Sequence, residues 1–161
     1  MNSKSEQLTR KLLLSFLQGR NAHLNLEDVL TDFPKEHMNS KIAGVEYSPW
    51  QLLEHIRLTQ KDIIQFLTNP DYEMPKWPEG YWPAIKEGDV NTWDESLSAL
   101  MEDLSVLEDM VRDYDKDLYS PMPAGEKYTL LREILVVIDH NAHHLGQMIM
   151  FRKHFDGDWK K

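Results

Sequence analysis

The stretch LLREILVVIDHNAHHLGQMIMF, residues 130–151, reads as the longest and most apolar helix of the chain. Leu130, Ile134, Val137, Leu145, Met148 and Phe151 recur at the spacing of one helical face, and Thr129 stands just before them as a cap. Working back from it, a loop with Pro121, Pro123 and Gly125 separates this helix from another, marked by Leu97, Leu100, Met101, Leu104, Leu107 and Val111. That helix is predicted to open with a capping box from Thr92 to Glu95 and to end near Tyr114. Residues 71–90 hold Pro75, Pro78 and Pro83 among Tyr72, Trp77, Tyr81 and Trp82, a composition that neither a helix nor a central strand tolerates. Ser48-Pro49 supplies a capping hydroxyl and a first-turn proline for a helix with Leu52, Leu53, Ile56, Ile63, Phe66 and Leu67, stopped by Asn69-Pro70. The first helix carries Leu8, Leu12, Leu13, Phe16 and Leu17 between Glu6 and Leu17 and closes at Gly19. Asn25 is expected to cap a short helix that Pro34 ends, and residues 35–47 read as irregular.

Four long amphipathic helices without strand alternation predict an all-α protein, a four-helix bundle whose core is a natural place for a cofactor or metal. At 161 residues the chain fits a single domain, 1–161. The connections after the first two long helices far exceed the usual two to eight or so residues, and loops that long usually cover something.

Composition narrows the function. A hydrophobic share of 41% with 28% charged residues is that of a globular chain, not a disordered one. The strongest apolar run, Ile134–Ile138, is interrupted by Asp139 and His140, well short of the roughly eighteen residues a spanning helix needs. Leu12–Leu17 is shorter than a signal-peptide core and no small-residue cleavage site follows it, so a cytoplasmic protein is expected. Eighteen basic against 27 acidic residues give a net charge of -9, which disfavours nucleic acid and anionic membrane as partners. With no cysteine, any metal must be held by His, Asp or Glu.

The histidines point to such a metal. At about 100° per residue, with His140 at 0°, His144 falls near 40° and His143 near 300°, whereas the apolar residues centre near 80–100°. His140 and His144 thus flank the buried face one turn apart, and His143 faces water. On the Ser48-capped helix His55 sits at the same edge of its own apolar face. A pair at i, i+4 alone fits ordinary hydrogen-bonded histidines as well as a metal; three imidazoles buried near apolar faces without a shared ligand would be costly. Three histidines would leave at least one coordination position for water or substrate. Asp62, Glu133 and Gln147, each two turns from one of these histidines, are candidates for the surrounding polar groups. His23 lies in a loop at a bundle end from which it could reach over the pocket.

Trp50-Gln-Leu-Leu-Glu-His55 and Asp139-His140-Asn-Ala-His-His144-Leu-Gly-Gln147 together resemble the DinB/YfiT-like superfamily of metalloenzymes. The family pattern is one histidine on the second helix and H-x-x-x-H followed by x-G-Q on the last; His55, His140 and His144 stand at those positions. The resemblance implies a four-helix bundle in a variant of up-and-down topology, a divalent metal such as zinc or nickel on the three histidines, and a homodimer. It also implies an enzyme that transfers a low-molecular-weight thiol, since some relatives are thiol S-transferases or thiol-dependent isomerases; others are described as metal-dependent hydrolases.

On either chemistry a bound metal would generate a nucleophile near neutral pH for a small-molecule substrate, and the sequence names no general base. Trp77, Tyr81 and Trp82 either line the pocket mouth or pin their loop to the bundle by ring packing. Trp50 and Trp93 are expected as core or interface anchors. A non-catalytic bundle, in which a metal only ties two helices together, is the reading from another class.

Overall fold

A computed structural model describes residues 3–19, 21–122, 125 and 127–159. Its long helices are α1 (Lys4–Leu17), α3 (Pro49–Thr68), α4 (Val90–Arg112) and α5 (Leu130–Phe155), with a short α2 (Leu26–Leu30) between the first two. Among the described residues there is no strand, only an isolated bridge between Met122 and Gly125, and no helix is long and apolar enough to cross a membrane. The fold is an all-α bundle, as the periodicity requires.

Helix starts follow from side-chain caps, each worth about 1 kcal/mol. Ser48 and Gln51 form a reciprocal capping box with Pro49 at the first turn of α3, and Thr129 caps α5 through the Arg132 amide. Gly19 follows the α1 cap at φ +66°, the left-handed conformation that glycine adopts without strain. Four boundaries differ from expectation. Thr92 is not the cap of α4: its hydroxyl accepts from the Asp89 amide while Asp89 accepts from the Thr92 amide, so Asp89 is the cap and the helix begins at Val90. α2 stops at Leu30, before Pro34, where buried Arg152 donates to the Val29 carbonyl (2.7 Å) and satisfies the end of the helix. Lys35–His37 forms a 3-10 turn within the stretch read as irregular. α5 continues past Phe151 to Phe155, one turn on along the same apolar stripe, where Phe155 stacks on His37. Pro123 lies outside the described residues.

α3 packs against α4 and α5, and α1 packs against the same two. The order round the bundle is therefore α1, α4, α3, α5, with consecutive long helices α1 and α3 on one diagonal. Glu54 faces Ser96, and Gln60 donates to the Leu100 carbonyl (2.8 Å), so neighbours α3 and α4 run parallel. Parallel neighbours cannot be joined by a hairpin; the chain must return along the bundle, about 30 Å for a twenty-residue helix. Residues 69–89 make that return against α3. Tyr72 meets Asp62, Tyr81 meets His55, and Gly88 lies so close to Trp50 that a Cβ there would fall 2.3 Å from the indole nitrogen. Asn39 clamps Gly88 in place with two backbone hydrogen bonds.

The interior holds two apolar clusters. One gathers Val29, Leu30, Trp50, Leu52, Trp93 and Phe151 around α2 and the start of α3; the other gathers Leu13, Leu17, Ile63, Leu107 and Ile134 at the far end. Trp50 and Trp93 are core residues, the latter stacked on Phe33. A buried polar layer lies between the helices: Asn141 Nδ2 donates to Gln60 Oε1 (3.0 Å), and Gln60 donates on to Leu100.

Candidate metal centre

His55 enters the site from α3, and His140 and His144 enter one turn apart from α5. One ring nitrogen from each lies within 4.8 Å of the other two, a grouping that could hold a metal ion. His55 is buried, and the two α5 histidines are partly buried. A depression of about 400 Å³ on the surface of α5 is lined by His140 with Arg132, Leu135, Val136, Asp139 and His143.

The outer ring nitrogens decide what the inner ones offer. His55 Nδ1 lies 2.7 Å from the Tyr81 main-chain carbonyl. A carbonyl only accepts, so Nδ1 carries the proton and Nε2 presents a lone pair. Gln147 does the same for His144: its Oε1 accepts from Nδ1 (2.7 Å), while its Nε2 donates to His143 Nε2 (3.1 Å). His140 Nε2 then faces His55 Nε2 at 3.2 Å. Two nitrogens bound tetrahedrally to one zinc, at Zn–N near 2.05 Å, are about 3.3 Å apart, so the spacing suits a shared cation.

Burial favours the neutral form of all three rings. It lowers the His140 pKa to about 3, reinforced by His144 and His55; the Asn141 amide opposes this, although its Oδ1 completes no hydrogen bond. His55 and His144 are also lowered, chiefly by burial, with the Tyr81 carbonyl and the Gln147 side chain working the other way. Neutral imidazoles, two of them with the tautomer set by an outer hydrogen bond, are a donor set that a divalent metal can take.

The connection 69–89 roofs this cluster. Trp82 lies flat on His55, ring centroids 4.3 Å apart and planes 7° apart, and Tyr47 packs against Trp82 from α3's leading loop. Asp62 accepts hydroxyl hydrogen bonds from Tyr72 (2.6 Å) and Tyr81 (3.0 Å). Thus Tyr81 and Trp82 pin the loop, whereas Trp77 is two-thirds exposed at its outer lip. Tyr72 and Tyr47 were not legible as site residues, because neither has a helical register to place it.

Three sequence expectations are placed elsewhere or differently. Glu133 is buried two turns, about 10 Å, along α5 from His140 and pairs with Arg132 (2.7 Å), within the far cluster of the core. His23 is exposed, bonded to the neighbouring Leu24 carbonyl, and lines a separate apolar groove of about 780 Å³ between α1 and α5. His143, read as facing water, is exposed but serves as the acceptor that orients Gln147.

Fold and centre together define a class: a helical bundle carrying a three-histidine group between two of its helices. The model of the DinB superfamily matches residues 18–148, a span that contains all three histidines and Gln147, and the chain belongs to that superfamily. No curated protein and no solved structure matches the chain.

Proposed function

We propose that His55, His140 and His144 hold one divalent metal, zinc or nickel, and that the protein is a metal-dependent enzyme acting on a small molecule, most specifically a thiol S-transferase. The observation that carries the reading is the 3.2 Å approach of His140 Nε2 to His55 Nε2, with the outer nitrogens of His55 and His144 already bonded. A hydrogen bond between His140 and His55 would account for one pair of rings and leave the third, His144, beside them with an uncommitted ring nitrogen.

When bound, such an ion lowers the pKa of a thiol or a water at its open position. The chain's residues do the rest. Tyr81 and Gln147 hold the ring tautomers, and Trp82 keeps water from one face of His55. Family membership supports the thiol reading; hydrolysis, with water as the nucleophile, would use the same open position. Exposed Leu8, Leu12, Phe16 and Leu135, beside the α1–α5 groove, support a homodimer, which light scattering of the purified protein would test.

The test is an assay of zinc- and nickel-loaded protein with low-molecular-weight thiols and an electrophile, alongside ester and amide substrates. Metal-dependent thiol consumption, lost in His140→Ala, is the expected result. Turnover of the esters or amides without thiol would replace transfer by hydrolysis, and no turnover of either kind would leave a binding module.

A further inference from the structure

Asp62 stands two turns beyond His55 on α3, about 10 Å along the axis, too far for its carboxylate to touch the ring. One residue of the 69–89 connection spans that gap. Tyr81 gives its hydroxyl to Asp62 Oδ2 (3.0 Å), and its main-chain carbonyl accepts from His55 Nδ1 (2.7 Å). Tyr72, earlier in the connection, gives its hydroxyl to the other carboxylate oxygen (2.6 Å). Trp82, next in the chain, stacks on His55. Tyr81 ends a short 3-10 turn, Glu79–Tyr81, whose backbone hydrogen bonds to Pro78 and Lys76 stay within the connection, so its carbonyl is only as well placed over α3 as the ties that hold the connection there.

We propose that Asp62 is a positioning residue for His55, acting through Tyr81: its carboxylate anchors the loop whose carbonyl sets the His55 tautomer and whose Trp82 ring confines the imidazole. The proposal rests on the reading of the three histidines as a metal centre. Hydrogen bonds to an ionised acceptor are about twice as strong as neutral ones, which suits an anchor at the edge of the core. Burial, then the bond to Asp62, raises the pKa of Tyr81 and likewise of Tyr72, so both hydroxyls stay protonated and keep donating. Ligand-orienting bonds of this kind typically contribute 10- to 100-fold to metal affinity.

A merely structural staple predicts a different outcome, and two readouts on the full chain separate them. The first is the imidazole nitrogen NMR spectrum of metal-free protein, which reports the tautomer of each ring. The second is cobalt(II) affinity by competition with a chromophoric chelator. Wild type should show His55 as a single Nδ1–H tautomer. Tyr81→Phe, which removes only the hydroxyl, and Asp62→Ala should each give a tautomer mixture and about 10- to 100-fold weaker cobalt binding. The double variant should be no weaker than the worse single one, because both act along one path. Tyr72→Phe, which leaves the Tyr81 link intact, should cost less than about threefold. Unchanged tautomer and cobalt affinity in Tyr81→Phe, even with a lowered melting temperature, would overturn the proposal. If wild type takes up no cobalt, the metal reading fails by itself; the tautomer spectra then still support the positioning role if His55 shifts in Tyr81→Phe and overturn it if His55 does not.

Discussion

Two polar ties join α3 to α5, only a turn or two apart, and they are built on opposite principles. In the first, Gln60 and Asn141 share a hydrogen bond, and Gln60 passes another to the Leu100 carbonyl of α4. The amides are complementary, donor to acceptor, and the tie binds three helices. In the second, His55 and His140 bring imidazole nitrogens to 3.2 Å with His144 beside them, after the outer nitrogens of His55 and His144 have been committed to Tyr81 and Gln147. Two of the three rings, their Nδ1 protons committed elsewhere, present acceptors there. A protein that needed only cohesion would repeat the first arrangement; the second leaves binding capacity directed at something outside the chain.

The contrast breaks most visibly on removing a ring. His55→Ala should weaken zinc binding by more than about 100-fold while leaving the metal-free fold intact, as chelator competition and circular dichroism would register. Unaltered zinc affinity would put the metal elsewhere. Gln60→Ala should do the reverse. It opens a cavity and strands the Asn141 amide, costing about 3 kcal/mol in urea unfolding with metal stoichiometry unchanged.

Acid sharpens the difference further, because only one tie can titrate. The three rings have folded pKa values below the ordinary 6.5, His140 at about 3. Between those limits the unfolded chain binds more protons than the folded one, so folding stability is whole above about pH 6.5 and falls as pH falls toward the folded values. Metal-free wild type should therefore lose more stability than His140→Leu between about pH 7.5 and pH 5, and equal losses would remove His140 from the acid effect. The smallest effect is expected of His143→Ala. It frees one Gln147 proton yet leaves the Oε1 bond to His144, so zinc affinity should change by less than about threefold in the same competition assay.

The helical half of this design was legible in the sequence. Ser48-Pro49 announces α3, and the angular positions of His55, His140 and His144 on two apolar stripes foretell that the rings meet. Gln147 was legible from its register, two turns on from His140, and the structure sets it against His144 and His143. The course of residues 69–89 was not. That α3 and α4 run parallel is a fact of tertiary packing, and the group that orients His55 is a main-chain carbonyl, which any residue at position 81 would supply. Tyr72 was missed because a proline-rich loop has no period to assign it a face. Glu133 misled for the opposite reason: helical register gave it the face of His140, but two turns of α5 set it against the far end of the core.

The measurement that bears most directly on the centre is metal analysis by plasma mass spectrometry of protein purified without a chelating tag, wild type beside His144→Ala. About one equivalent of zinc or nickel per chain in the wild type, lost in the variant, is the predicted result. Metal-free wild type that stays empty after reconstitution, or a His144→Ala protein that keeps its full equivalent, would contradict it.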